Sequence, residues 1–165
     1  MQLKFTGPNP QSQVLNRMIR VLQLPMQMSK KMKGDLLLEN TGKIVSTTVR
    51  DISPTGIKLE INSQDQAKGK YKANGVSTVT VWMKTDGTSE WENKGIQTTS
   101  EGDFIAVWGK GTGRSTGPTT QAWEGEVHFM TQSKKLSWLN NAKGWVEGEG
   151  NQATQESHGK IFEQK

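Results

Sequence analysis

The stretch Ala106–Pro118, AVWGKGTGRSTGP, decides between a nucleotide-binding loop and a bent β-strand. It places four glycines directly after an apolar run. Gly109, Gly111 and Gly113 read G-x-G-x-G, whereas a dinucleotide-binding loop needs G-x-G-x-x-G at the start of a helix. A P-loop needs G-x-x-x-x-G-K-[ST]; the nearest match here is one residue short and has arginine in place of lysine. Neither phosphate-binding motif is present.

The three glycines at 109, 111 and 113 share one parity, so in an extended strand they lie on the same face. Trp108 and Lys110 belong to the opposite face. A face without side chains lets the strand bend sharply, or lets another backbone or a large ring lie against it. We therefore predict a bent β-strand here rather than an anion-binding loop.

Alternation with a period of two continues through most of the chain beyond Met32. The run Ile57–Ile61 and the run Val79–Met83 each place apolar side chains on one face, as in half-buried strands. The predicted turns are ENTGK at 39–43, SPTG at 53–56, KTDGT at 84–88 and SEGD at 100–103. The Asp86–Gly87 pair is a hairpin signal. Short turns without intervening helices favour antiparallel pairing over a parallel α/β sheet.

The chain of 165 residues suits one domain, so we predict a single domain over residues 1–165. Residues 32–163 are predicted to form an all-β fold, a closed antiparallel up-and-down barrel of about eight to ten strands, with a sandwich as the alternative. Residues 10–25 are predicted to form one short N-terminal helix and its linker, because Val14, Met18 and Leu22 recur at helical spacing.

Composition limits the function classes. The net charge of +5 favours anionic partners, but the basic residues are scattered and do not favour nucleic acid. The absence of cysteine excludes disulfides, thiolate metal sites and cysteine catalysis. No segment approaches the roughly 20 apolar residues of a membrane span, and the first residues lack the apolar core of a signal peptide. We expect a soluble cytoplasmic protein.

Five segments of the C-terminal half carry a family resemblance. They are WGKGTGRSTG at 108–117, WEGEVHFMT at 123–131, KLSWLNN at 135–141, GWVEGEG at 144–150 and HGKIFEQK at 158–165. Together they resemble small prokaryotic proteins with a calycin-like or allene-oxide-cyclase-like β-barrel. The resemblance implies an antiparallel barrel, and related barrels hold apolar ligands or, in the cyclases, fold a reactive one in the lumen. The predicted N-terminal helix lies outside this half.

Aromatic residues provide the candidate ligand site. Their strand parity groups them with apolar or small neighbours, so we predict that they face inward. The predicted ligand-binding residues are Trp91, Phe104, Trp108, Trp123 and Phe129. The rings either fill a solid core or line a cavity, since an eight-stranded barrel has the size at which both occur.

Glu126 and His128 are the catalytic candidates, because a carboxylate beside an imidazole assists proton transfer. With Glu124 they share one face of a strand, so a solvated outer wall is the alternative interpretation. His158 could join them at a zinc or iron site, but no i, i+4 or H-x-H spacing supports one. We predict no metal and no cofactor.

Three functions follow from these patterns. The first is a barrel that binds a small apolar or aromatic molecule in its lumen. The second is an isomerase- or cyclase-type enzyme in which Glu126 and His128 point into the lumen. The third is a filled barrel that acts as a homo-oligomer or interaction module, with the outward-facing Trp82 and the basic residues near Lys31 at the contact.

Overall fold

The computed structural model describes residues 33–165, which form eight antiparallel strands and a short 3-10 helix. The strands are β1 (Lys33–Ser53), β2 (Gly56–Gly69), β3 (Lys72–Lys84), β4 (Thr88–Thr99), β5 (Phe104–Ser115), β6 (Thr120–Thr131), β7 (Lys143–Asn151) and β8 (Glu156–Gln164); the 3-10 helix is Ser137–Asn141. Neighbours in sequence are neighbours in the sheet, and β8 pairs with β1 to close the barrel. The predicted up-and-down barrel is confirmed, and the helix predicted at 10–25 lies outside the described residues.

Alternation along each strand builds the interior. Inward positions carry the buried apolar side chains, such as Val81 on β3, Val107 on β5, Val127 on β6 and Val146 on β7. The intervening positions face outward and are mostly polar. Burying one face of every strand against a shared centre is what stabilises a barrel with so few apolar residues, 32% of the chain.

Three of the four predicted turns are confirmed. Chain reversals lie at 54–55, 85–87 and 100–103. In the β3–β4 hairpin, Gly87 has a φ of 84°, and Oδ1 of Asp86 accepts a hydrogen bond of 2.9 Å from the Thr88 amide. The hydroxyl and amide of Thr88 hold the pKa of the Asp86 carboxyl below its usual value, because both donate to the ionised form.

The turn predicted at 39–43 is wrong, because this segment runs through the middle of β1. Gly42 pairs with Asp65 on β2 and with Ser157 on β8. A Cβ at Gly42 would lie 2.5 Å from Oγ of Ser157 and 2.8 Å from Oδ1 of Asp65. The glycine therefore makes room for two inward polar side chains instead of reversing the chain.

One end of the barrel is closed by the β6–β7 connection. Leu139 of the 3-10 helix is completely buried, at 0% exposure. The Asn140 side chain pairs with the backbone of Thr131, accepting a hydrogen bond of 2.8 Å and donating one of 3.1 Å. The buried Tyr71 hydroxyl donates to Oε1 of Gln97 at 2.7 Å, and burial raises the pKa of this phenol. We call the end of the barrel that the β6–β7 connection covers the closed end.

Candidate functional site

The lumen contains a cavity of about 230 Å³ whose lining draws residues from all eight strands. The lining does not include Leu139 of the closed end, but it reaches Gln152 and Glu156 in and beside the β7–β8 turn. Both residues are exposed, so the cavity communicates with solvent at this end, which we call the open end. The barrel is therefore partly hollow within residues 33–165.

The indole of Trp91 lies across the glycine face of β5 and β6. A Cβ at Gly111 would lie 2.7 Å from Cζ2 of this ring, and a Cβ at Gly125 would lie 2.6 Å from the same atom. Nε1 of Trp91 donates a hydrogen bond of 3.1 Å to the carbonyl oxygen of Thr112. The glycines of the opening stretch thus face the lumen, where they leave space for a large ring.

The indole of Trp123 likewise lies over glycines, in this case those of β7. Cβ atoms at Gly148 and Gly150 of β7 would lie 2.7 Å and 2.9 Å from its indole carbons. Both Trp91 and Trp123 line the cavity. The inward orientation that sequence parity predicts for these two tryptophans is confirmed.

Phe129 is also inward and is 3% exposed, but it packs in the core beside Gly144 and Ile161 instead of lining the cavity. The inward orientation predicted for Phe104 and Trp108 is wrong, since these side chains are 54% and 43% exposed on the outer wall. The structure therefore brings two of the five predicted rings together at the cavity.

The error on β5 has a physical reason. Its first residues, FIAVW, are apolar at every position, so parity alone does not tell which face is inside. Ile105 and Val107, at 0% and 6% exposure, take the inward positions, and the glycines that follow share their parity. The inward glycines, which accommodate rings from neighbouring strands, were the signal for the correct orientation.

Glu126 and His128 alternate with the buried Val127 and Phe129 and therefore project outward. The His128 ring stacks on Trp108, with centroids 5.6 Å apart and an angle of 24° between the planes. This is the solvated outer wall of the alternative interpretation. An enzyme that uses these two residues inside the lumen lacks the geometry it requires.

A polar strip crosses the cavity wall from β1 to β4, and sequence reasoning missed it. Its members are Asn40, Ser63, Asp65, Ser77 and Asn93, all of which line the cavity. The Ser63 hydroxyl donates to Oδ1 of Asp65 at 2.8 Å and lies 2.8 Å from Oγ of Ser77. The sequence did contain a signal for this strip: Asn40 lies on the same strand face as the buried Leu38, and Asp65 on the same face as Ile61.

Two amide groups in the polar strip have an unpaired atom. Oδ1 of Asn40 and Oδ1 of Asn93 are buried without a hydrogen-bond partner in the described part of the chain. Buried unpaired acceptors are uncommon in native proteins and call for a physical explanation. Both oxygens are closed off from solvent in this conformation, so a ligand that donates hydrogen bonds would reach either of them only after its amide turned.

An apolar ledge extends from the barrel at the open end. The ladder between β1 and β8 ends at Lys43, and beyond it the hairpin of β1 with β2 continues to Ser53. Val49 and Ile52 lie opposite Leu59 and Ile57, on the face that continues the lumen wall, and Ile52 is 70% exposed. The approach to the cavity is therefore apolar.

An apolar row crosses the outer wall towards the closed end. Val76 pairs with Ile96, Ile96 with Ala106, and Ala106 with Met130. Val76, Ile96 and Met130 are all exposed. This apolar row was not predicted from the sequence, because its four residues come from four different strands.

Trp82 is outward and exposed, as its parity predicts, with Nζ of Lys84 located 5.7 Å from its ring centre.

No helix within residues 33–165 combines the length and apolar character that a membrane span requires. In the same part of the chain, no three histidine or acidic side chains converge as a metal site would need. His158, the third residue considered for a metal, is exposed on β8.

Comparison with known proteins identifies the fold. No protein-family model matches the chain, and no curated protein sequence matches it significantly. A protein of unknown function from Clostridium acetobutylicum ATCC 824 is similar in structure, with a TM-score of 0.70 at 12% identity over 79% of this chain and 98% of that one. A β-barrel-like protein from Acinetobacter baumannii AYE has a TM-score of 0.63 at 16% identity, over 79% and 94% of the two chains.

An enzyme from Penicillium herquei is also similar in structure, with a TM-score of 0.56 at 20% identity over 81% of this chain and 98% of that one. At these identities the similarity shows the fold alone. The chain shares its architecture with small bacterial β-barrel proteins of unknown function.

Proposed function

We propose that the barrel binds a small, largely apolar or aromatic molecule in its lumen. The observation that carries this proposal is the cavity of about 230 Å³ whose lining includes Trp91 and Trp123. Its size lies between an engineered cavity of about 150 Å³ that accepts benzene and the roughly 300 Å³ at which drug-sized pockets begin. A ligand with one ring and a short polar tail fits this range.

The construction of the wall supports the same function. The residues beneath the two indoles are glycines, so each ring lies flat against the strand backbone. Tryptophan rings in a cavity wall are favourable contacts for apolar rings. The apolar ledge at the open end extends this surface towards solvent. Binding in the lumen is also what the resemblance to calycin-like or allene-oxide-cyclase-like barrels implies. We include in the proposal that this protein is such a barrel and that it is cytoplasmic.

Titration with 2-phenylethanol, followed by tryptophan fluorescence, tests the proposal. We expect a saturable change in the wild type, and an affinity about tenfold weaker in Trp123→Phe because part of the aromatic wall is lost. The matched control is Trp108→Phe, which changes a tryptophan on the outer wall and should bind like the wild type. A response that disappears in Trp108→Phe but persists in Trp123→Phe would place binding outside the lumen and refute the proposal.

An isomerase- or cyclase-type reaction in the lumen would need other residues than Glu126 and His128. Asp65 and Ser157 are polar side chains that face each other across Gly42 in the cavity wall. They are the groups available to move a proton there. Ligand binding is the more direct inference, because it needs the cavity and its wall alone.

Homo-oligomerisation is a second proposed property, supported by the apolar row on the outer wall. Contiguous exposed apolar surface is typical of protein contacts, and we propose a second copy of this chain as the occupant, because its own copy of the row offers an equally apolar surface. Light scattering should give twice the chain mass for the wild type and for the control Trp82→Ser. It should give the single chain mass for Met130→Lys. Equal masses for the wild type and Met130→Lys would contradict this contact.

A further inference from the structure

We infer that the lumen selects an organic cation, namely a small apolar or aromatic amine whose ammonium group pairs with Asp65. This inference rests on the proposed ligand-binding function and assigns the ligand's charge. Its basis is the distribution of charge in the cavity wall. The lining contains two charged residues, Asp65 and Glu156, and both are acidic, whereas no lysine, arginine or histidine of the described chain lines the cavity.

This distribution is opposite to that of the whole protein. The sequence has 21 lysines and arginines against 16 acidic residues, so a random sample of its charges would favour positive groups. The lumen instead has one carboxylate, that of Asp65, within its wall. Glu156 begins β8 at the open end and shares the exposed, outward face of that strand with His158 and Lys160, so its charge lies at the rim. A cation entering from solvent would meet favourable charge first at the rim and then at Asp65.

Asp65 has no cationic partner in the described structure. The ion pairs there involve other acids, and the contact to Oδ1 of Asp65 is the hydroxyl of Ser63. Because Ser63 donates to Asp65, the short contact between Ser63 and Ser77 is made with the Ser77 hydroxyl as donor. Both serine protons thus point along the strip towards Asp65, and neither is offered to an anionic ligand.

The side chains of Asn40 and Asn93 carry the two unpaired oxygens and are further acceptors in the polar strip. Asn40 lies two residues from Gly42, which is opposite Asp65, and Asn93 lies diagonally across the sheet from Ser77. A half-turn of an amide exchanges its oxygen and nitrogen, and each oxygen would have to leave its buried position in this way to pair with a ligand in the cavity. An ammonium group has three donors and no acceptor, so it can use the carboxylate and an amide oxygen together.

The aromatic wall favours the same ligand. Trp91 and Trp123 present indole rings to the cavity, and indole is the side chain whose face attracts cations most strongly. Trp123 lies over Gly150, which pairs with Ser157, and Ser157 adjoins Gly42 and Asp65. A ligand with its body on Trp123 therefore lies beside the polar strip.

A charge series on one scaffold tests the inference by fluorescence titration and calorimetry: 2-phenylethylamine, 2-phenylethanol and 3-phenylpropionate at neutral pH. We expect the amine to bind at least about tenfold more tightly than the alcohol, and the carboxylate to bind most weakly. Asp65→Asn retains an acceptor for Ser63 and should bring the amine to within about threefold of the alcohol. The matched control Glu156→Gln changes the exposed acid and should preserve most of the preference.

The outcomes separate the two proposals. If the alcohol binds as tightly as the amine to the wild type, the cation preference is refuted while binding in the lumen stands. If no member of the series binds, both proposals fail. If the amine keeps its advantage in a folded Asp65→Asn variant, the assignment of Asp65 is wrong. Should that variant not fold, the order of the three affinities in the wild type still decides whether the lumen prefers a cation.

Discussion

The Gly111→Ala variant is expected to lose about 3 kcal/mol of unfolding free energy. The added Cβ would overlap the carbonyl oxygen of Glu124 and lie 2.7 Å from Cζ2 of Trp91. Neither neighbour can retreat easily, because the oxygen belongs to β6 and the indole is held by its hydrogen bond to Thr112. Urea denaturation measured against the wild type gives the difference directly.

Gly159→Ala is the matched control for this prediction. Like Gly111, Gly159 lies on an inward face and does not adopt a positive φ. Its nearest neighbours would be 3.5 Å and 3.6 Å from the added Cβ, which is ordinary contact. We expect its stability to change by less than about 1 kcal/mol. Equal losses in the two variants would mean that the steric role assigned to the glycine face is wrong.

Leu139→Ala is expected to lower the unfolding free energy by about 3 kcal/mol, as is usual for a leucine truncated within a core. Leu139 is fully buried and belongs to the segment that covers the closed end. Removing its side chain leaves a void between the 3-10 helix and the barrel, which the hydrogen bonds of Asn140 keep from collapsing. Urea denaturation measures the loss.

Leu36→Ala serves as the control, because Leu36 is 43% exposed on β1 and its truncation creates no enclosed void. We expect a loss below about 1 kcal/mol for this variant. A Leu139→Ala variant as stable as Leu36→Ala would show that the β6–β7 connection does not seal the barrel.

The barrel was predictable because its physical signal is local. Alternation in runs such as Val79–Met83 fixes which residues are inward, and glycine-containing turns such as Thr85–Gly87 fix antiparallel neighbours. The 39–43 segment shows the limit of this reasoning. Its glycine resembles a turn in sequence, but its role is to fit between Asp65 and Ser157, which belong to two other strands.

The site was less predictable, because it depends on which strands meet. Trp91 and Trp123 alternate with glutamates on their strands, which marks the opposite face as the outer one, and their inward orientation was predicted correctly. Phe104 and Trp108 belong to a strand start that is apolar on both faces. The polar strip joins β1 to β4 through sheet register, which the sequence does not state. A polar residue at a core-facing parity, such as Asp65, is nevertheless visible in the sequence and is a useful signal of a binding cavity.

The most direct test is a crystal structure of the protein soaked with 2-phenylethylamine. Density for the ring against Trp123, with the amine near Asp65, is the predicted result. A lumen filled by the protein's own side chains, with no space between Trp91 and Trp123, would contradict the proposal that this barrel is a binding cavity.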